Sequence, residues 1–328
     1  MNPEELIDGL AEGILKGERR ALAKGITLIE SSRPEDEILA ARLLDRLSLP
    51  GIRSVRVGIS GPPGAGKSTL IESLGMLAVG QNVPTAVLAI DPSSRKSGGS
   101  ILGDKTRMPR LSAHPLAFIR PTAAGGTAGG VARRTRESMV LLEAAGFELI
   151  LVETVGVGQS ETEVHGMVDL FTLVLLPNAG DELQGIKRGI MELAELIVIN
   201  KADGAFRQAA ETTAAQVGSA LPLLHHDVMD WMPRVLLASA LEESGIEAVY
   251  ETIRAYRQHG IENGTLQQRR LHQATTWMWE RVQDGLRRRF LADPAIQRLA
   301  RELEPAVRQG ELGAVVAAER LLRHFFER

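Results

Sequence analysis

Residues 61 to 68 read Gly61-Pro62-Pro63-Gly64-Ala65-Gly66-Lys67-Ser68, with Thr69 directly after. This is a complete G-x-x-x-x-G-K-[ST] pattern. The stretch before it, Val-Arg-Val-Gly-Ile-Ser at 55–60, reads as a strand, and 69–79 reads as a helix, the context the pattern requires. Glycines let successive backbone N–H groups face one anion, and the helix N-terminus adds the positive end of its dipole. Gly61 through Thr69 are therefore expected to cradle the phosphates of a nucleotide. Lys67 reaches the β- and γ-phosphates as a point charge, and the Ser68 hydroxyl serves a magnesium ion.

Short apolar runs alternate with helical stretches from about 51 to 260. Strands are expected at 55–60, 85–91, 116–120, 149–153, 170–176, 196–200 and 235–239. Unbroken apolar strands separated by helices predict an α/β fold, a mostly parallel central sheet flanked by helices on both faces. Residues 1–50 read as an N-terminal helical extension, which could also simply extend the core of the central domain. Leu22, Ile26 and Ile29 recur at helical spacing, as do Leu39, Leu43 and Leu47, with a break at Ser31-Ser32-Arg33-Pro34. Residues 261–328 form a C-terminal helical arm. Ile296, Leu299, Leu303 and Val307 mark one stripe, and Leu312, Val315, Val316, Leu322 and Phe325 another, punctuated by Pro294 and Gly310. The arm either extends the central core or, with its arginines and its Trp277 and Trp279, packs on a second copy as a dimerisation element.

Composition narrows the class. In 328 residues, 44% hydrophobic and 24% charged content is that of a globular domain with a large core. A net charge of -3 gives no basic field for nucleic acid, and Arg287-Arg288-Arg289 reads as a solvated helix face. With no cysteine there are no disulfides, thiolate zinc sites or cysteine nucleophiles. The opening MNPEELIDGLAEG is polar and acidic, unlike a signal peptide, and no run reaches the ~18 apolar residues of a membrane span. The expected location is the cytoplasm, with no membrane partner.

Carboxylates at expected strand ends are the candidate magnesium ligands. Asp91 ends Ala-Ile-Asp-Pro-Ser-Ser, Asp104 lies in the Gly-rich loop before Lys105-Thr106-Arg107-Met108, and Glu153 closes Leu149-Ile150-Leu151-Val152. A hard cation takes such oxygens together with water and phosphate. Asp91 equally suits a helix cap before Pro92, and Asp104 a plain loop acid. Glu153 is the harder to dismiss, since an acid ending an apolar strand is costly without a cation or hydrogen bonds to receive it. Gly156 follows in Glu153-Thr154-Val155-Gly156, where small GTPases carry D-x-x-G with a glycine N–H on the γ-phosphate. Residues 157–160 are expected to be a mobile segment, in which Gln159 is either a water-orienting residue or a solvent-exposed glutamine.

The base is read further along. Asn200-Lys201-Ala202-Asp203 follows an apolar strand. Guanine offers N1–H and N2–H₂ as paired donors that one carboxylate, Asp203, accepts; adenine leaves that carboxylate unpaired. Asn200 supports the loop or the base, the Lys201 stem lies over the ring, and Ser239 and Ala240 stand where a backbone N–H meets the guanine carbonyl. Downstream of the phosphate loop, this set specifies a P-loop GTPase.

The order GPPGAGKS, AIDPSS, GDKTRM, ETVGVGQSE, LPNAGDELQGIKRGI, NKAD resembles the methylmalonyl-CoA mutase-associated GTPases of the MeaB/ArgK type over nearly the whole chain. The resemblance implies a homodimeric GTPase that assists an adenosylcobalamin-dependent acyl-CoA mutase, gating cofactor loading and protecting or rescuing the enzyme. It implies Ser68, Asp91, Asp104 and Glu153 at magnesium, and Lys67, Asp91 and Glu153 as the hydrolytic set. It further implies a switch at 177–188, with Asp181, Gln184, Lys187 and Arg188 relaying nucleotide state; read without the family, that stretch suits a polar surface connection. Arg107 is the candidate for a stimulating arginine. Weak activity alone and stimulation by the mutase are expected. Three rivals remain: a metal-insertion GTPase for a nickel enzyme, disfavoured by the missing cysteines; a kinase, which lacks any H-R-D signature; and a nucleotide-stabilised scaffold that hardly turns over.

Overall fold

The computed structural model describes residues 3–31, 33–48, 51–91, 107–123, 128–154, 160–177, 188–224 and 230–327. Its centre is a seven-stranded, wholly parallel sheet of order β3-β2-β4-β1-β5-β6-β7. The strands are β1 (Val55–Ser60), β2 (Thr85–Asp91), β3 (Ala117–Ala123), β4 (Leu149–Thr154), β5 (Leu170–Leu175), β6 (Leu196–Ile199) and β7 (Arg234–Leu237). β4, β5 and β6 are buried at every position. That is why they read as unbroken apolar runs rather than as alternating ones.

Each face of the sheet has its own core. One is shared with α1 (Pro3–Leu15), α2 (Arg19–Glu30), α3 (Pro34–Leu47) and α6 (Ala128–Ala144); Ile7, Ile14, Leu22, Ile26, Leu43 and Leu47 meet Leu88, Ile150 and Val152 there. The other is shared with α4 (Lys67–Gly80), the short α5 (Pro109–Ala113) and α10 (Ile246–Glu262), where Leu70, Leu74, Val249 and Tyr256 meet Val57, Ile59 and Leu151. Among the described residues this unit also holds α7 (Ser160–His165), α8 (Arg188–Met191) and α9 (Arg207–Leu224), with a 3₁₀ turn at Gly204–Phe206. The N-terminal helices are thus part of the sheet's own core.

Compact packing divides the chain between Gln267 and Gln268. The second unit holds most of α11 (Thr265–Ala292) together with α12 (Pro294–Arg308) and α13 (Ala314–Phe326). Asp293 caps α12 by accepting from the Ala295 and Ile296 N–H groups, and Pro294 takes the first helical position, where it gives up no hydrogen bond. Phe290 of α11 meets Phe325 of α13 edge-on at 5.2 Å. Among the described residues no helix is long and apolar enough to cross a membrane.

β1 is the topological switch point. Its neighbours are β4 on one side and β5 on the other, and the connections run outward in opposite directions, so a crevice opens beyond its C-terminal end. The phosphate loop leaves β1 there. Five strands differ from the sequence expectation at one end or both: β4 runs one residue further, to Thr154, and β5 stops one residue earlier, at Leu175. β3 begins at Ala117 and runs to Ala123, β7 spans Arg234–Leu237, and Asn200 lies just past β6. The Ala238 N–H still donates to the Ile199 carbonyl at 3.0 Å, but Ser239 leaves the ladder to pair with Ser244. A turn contact has displaced the last expected strand residues.

Candidate functional site

The loop from Gly61 to Gly66 depends on glycine at two close approaches. Gly61 has φ 150°, and a Cβ there would lie 2.1 Å from the Val174 carbonyl oxygen of β5. Gly66 has φ 83°, and a Cβ would lie 2.5 Å from the Asn200 side-chain nitrogen. α4 begins at Lys67, so Lys67, Ser68 and Thr69 form its first turn with their N–H groups at the positive end of the helix. Ala65 is buried, while Pro63, Gly64 and Thr69 are exposed.

Lys67 is buried, and its ammonium donates to the Gly61 carbonyl at 2.8 Å and the Pro62 carbonyl at 3.1 Å. Burial pushes its pKa below the ordinary lysine range; Glu153 opposes that shift, Arg107 reinforces it and Glu161 opposes it. The Ser68 hydroxyl donates to the Glu153 carboxylate at 2.6 Å. Glu153 lies on β4 in register with Ile59 of β1, so sheet pairing itself sets this acid beside the loop. Glu153 is 8% exposed. Two hard oxygen donors therefore converge at the phosphate end, a chemistry that suits magnesium.

The base side lies across β1, beyond β6 and β7. Asn200 is buried and acts as a strut. Its Nδ2 donates to the Ala65 carbonyl at 2.8 Å, and its Oδ1 accepts from the Ala240 N–H at 3.1 Å. Lys201 has φ 59°, a left-handed conformation that an unbranched side chain tolerates at some cost, and its side chain is exposed. The Ser239 hydroxyl donates to Asp203 Oδ2 and accepts from the Glu242 N–H at 3.1 Å. Ser73, midway along α4, donates to the Ala240 carbonyl at 2.8 Å. One helix thus carries the phosphate residues at its start and fixes the base loop from its middle.

The structure therefore brings Lys67, Ser68 and Glu153 together on one side and Asn200, Asp203, Ser239 and Ala240 on the other, joined through Ala65 and Gly66. Asp104, Gly156, Gln159, Asp181, Gln184 and Lys187 lie outside the described residues. Asp91 ends β2 and Arg188 begins α8, but their side chains also lie outside the description. Two neighbours went unnoticed in the sequence. Ser73 carries no motif of its own. Glu161, buried in the first turn of α7, acts on Lys67 electrostatically, and the sequence marked it only as the last residue of ETVGVGQSE.

A family model described as "Methylmalonyl Co-A mutase-associated GTPase MeaB" matches residues 22–295. A Caulobacter vibrioides protein described as a putative GTPase is 50% identical over 325 residues, 99% of each chain. The mouse methylmalonic aciduria type A homolog, described as mitochondrial, is 44% identical over 335 residues, 99% of this chain and 81% of that protein. A crystal structure of a LAO/AO transport system kinase superimposes with TM-score 0.77 at 35% identity, covering 100% of this chain and 99% of that one.

Proposed function

The chain belongs to the methylmalonyl Co-A mutase-associated GTPase family, it is a GTPase, and we propose that its hydrolysis serves as a switch for an adenosylcobalamin-dependent acyl-CoA mutase in the cytoplasm. In this reading it gates delivery of the cofactor to the mutase and protects or reactivates that enzyme. The family name and the mouse relative's name support the partner class. The observation that carries the nucleotide half is the linked set of Lys67, Asn200, Ser239 and Asp203 around one crevice.

On triphosphate binding, Lys67 leaves the Gly61 and Pro62 carbonyls for the phosphates, and backbone N–H groups of 61–69 take the remaining oxygens. Ser68 and Glu153, with Asp91 and Asp104, are the residues that would hold magnesium. When bound, that ion neutralises charge on the phosphate oxygens. Asp203 accepts from N1–H and N2–H₂ of guanine. Catalysis is positioning plus charge neutralisation by Lys67, with Arg107 adding positive charge near it. The 177–188 segment, through Asp181, Gln184, Lys187 and Arg188, transmits nucleotide state to the mutase. GTP and GDP can do this only by differing in affinity for two states of the complex.

We also propose a homodimer through 261–328. Leu271, Met278, Val282 and Leu286 share one face of α11, each more than 40% exposed, with Trp279 beside them at 58%. Such a stripe on one long helix has the composition of an interface.

Phosphate release measured with and without purified acyl-CoA mutase tests the reading. Slow turnover alone and a severalfold rise with the mutase are expected. Equal rates in both would favour the nucleotide-stabilised scaffold and contradict the switch.

A further inference from the structure

The exit of β4 is tied to the phosphate loop twice, once on each face of the sheet. Successive strand residues face opposite sides. Leu151 lies in the core shared with α4 and Val152 in the core shared with α6, and the alternation carries on through the last two residues. Glu153 faces α4 and accepts from Ser68, at the far end of the loop. Thr154 faces the other way, and its Oγ1 donates to Ser60 Oγ at 3.0 Å. Ser60 stands immediately before Gly61. The two bonds therefore bracket the loop, one where the chain enters it and one where the chain leaves it.

Main-chain pairing of β1 with β4 runs to Ile59 and Glu153. One position further, Ser60 pairs with Leu173 of β5, and Thr154 pairs with Ile90 of β2. The hydroxyl bond thus carries the β1–β4 contact past its last ladder pair. Ser60 and Thr154 are both 0% exposed. A buried hydroxyl costs free energy unless it is bonded, and Ala and Val would occupy the two places with no such cost. What the bond contributes is placement more than stability. The Ser68–Glu153 bond lies at the phosphate end and is open to exchange with a ligand, whereas the Thr154–Ser60 bond is sealed from solvent and has no such exchange.

We propose that Thr154 is a positioning residue. Through Ser60 it holds the exit of β4, and with it Glu153 and the chain leading to Gly156, in register with the phosphate loop. It thereby sets how far GTP is preferred over GDP. The inference rests on the nucleotide reading above and adds to it a group that discriminates the γ-phosphate without touching it.

Calorimetric titration of the full chain with GDP and with a non-hydrolysable GTP analogue, both with magnesium, tests it in wild type, Thr154→Val, Thr154→Ser and Ser60→Ala. Thr154→Val keeps the branched shape and loses the donor. It should bind GDP within about threefold of wild type, because GDP has no γ-phosphate to place. Its affinity for the GTP analogue should fall about tenfold, the scale of one lost hydrogen bond. Thr154→Ser, which keeps the hydroxyl, should restore the wild-type ratio of the two affinities. Ser60→Ala should match Thr154→Val, and the double variant should be no worse than either, because the same bond is lost in all three. An unchanged ratio in Thr154→Val would overturn the inference while leaving the nucleotide reading intact. An equal loss for both nucleotides would also overturn it, as general damage to the loop, and so would a Thr154→Ser ratio as low as that of Thr154→Val. Should wild type bind neither nucleotide, the nucleotide reading fails and the inference with it.

Discussion

The two ends of the nucleotide crevice are prepared in opposite ways. On the base side, Asn200, Ser239 and Ser73 spend their hydrogen bonds on other protein groups and hold Asp203 and Ala240 in a finished shape. On the phosphate side, the groups meant for the ligand are engaged with one another. Lys67 donates to the carbonyls of its own loop, and Ser68 donates to Glu153. Base selection thus requires little rearrangement, whereas phosphate binding is an exchange of partners. The Gly61 and Pro62 carbonyls solvate a buried ammonium, which its burial otherwise makes costly. The energetic signal that separates nucleotide states should therefore arise on the phosphate side.

Breaking the phosphate side should have the largest effect. Lys67→Ala is expected to weaken GTP binding by about 100-fold or more, the scale of a lost charge-assisted contact in a dry site, measured by calorimetry. Near-wild-type affinity would mean the loop is not the cradle. Next comes Asp203→Asn, which should exchange GDP preference for XDP by roughly 100-fold in the ratio, because an amide donates to the 2-oxo group that a carboxylate repels. Competition between the two nucleotides reads it directly.

Asn200→Ala strikes the link between the two sides. It leaves the buried Ala240 N–H and Ala65 carbonyl without their partner, at about 1–3 kcal/mol of folding stability in denaturant titration. It should weaken GDP and tripolyphosphate alike, unlike a change at Asp203, since the strut shapes both loops.

The smallest effect is on pH dependence. Because burial holds the Lys67 pKa below the ordinary lysine value, the unfolded chain binds more protons than the native one between those two pKa values. Stability of the nucleotide-free protein should therefore rise with pH through that window. Tripolyphosphate affinity should fall over the same window as the ammonium is lost. In Glu153→Gln, which removes a charge that raises the Lys67 pKa, the decline should begin at lower pH. A decline that starts only at the ordinary lysine value would contradict the burial effect.

What the sequence disclosed was whatever sits within one local pattern. The Gly61–Ser68 loop and the 200–203 segment each carry their chemistry in consecutive residues. Fully buried parallel strands announce themselves as apolar runs. The pairing of these pieces was not legible, because it depends on strand order. Only the placement of β1 between β4 and β5 sets Glu153 beside Ser68, and only the loop beyond β6 crossing to 65–66 makes Asn200 a strut. Ser73 is an ordinary residue in sequence and gains its meaning from a partner 167 residues away. Helical spacing at 22–29 and 39–47 identified α2 and α3, but not that they share a core with the sheet, which is a matter of which face each apolar stripe meets.

Amide hydrogen exchange with and without GDP tests the contrast between the two ends most directly. The account predicts that amides at 200–203 and 238–246 are already protected in the nucleotide-free protein and gain little from GDP, while those at 61–69 gain strongly. A base loop that becomes protected only on binding, to the same degree as the phosphate loop, would contradict it.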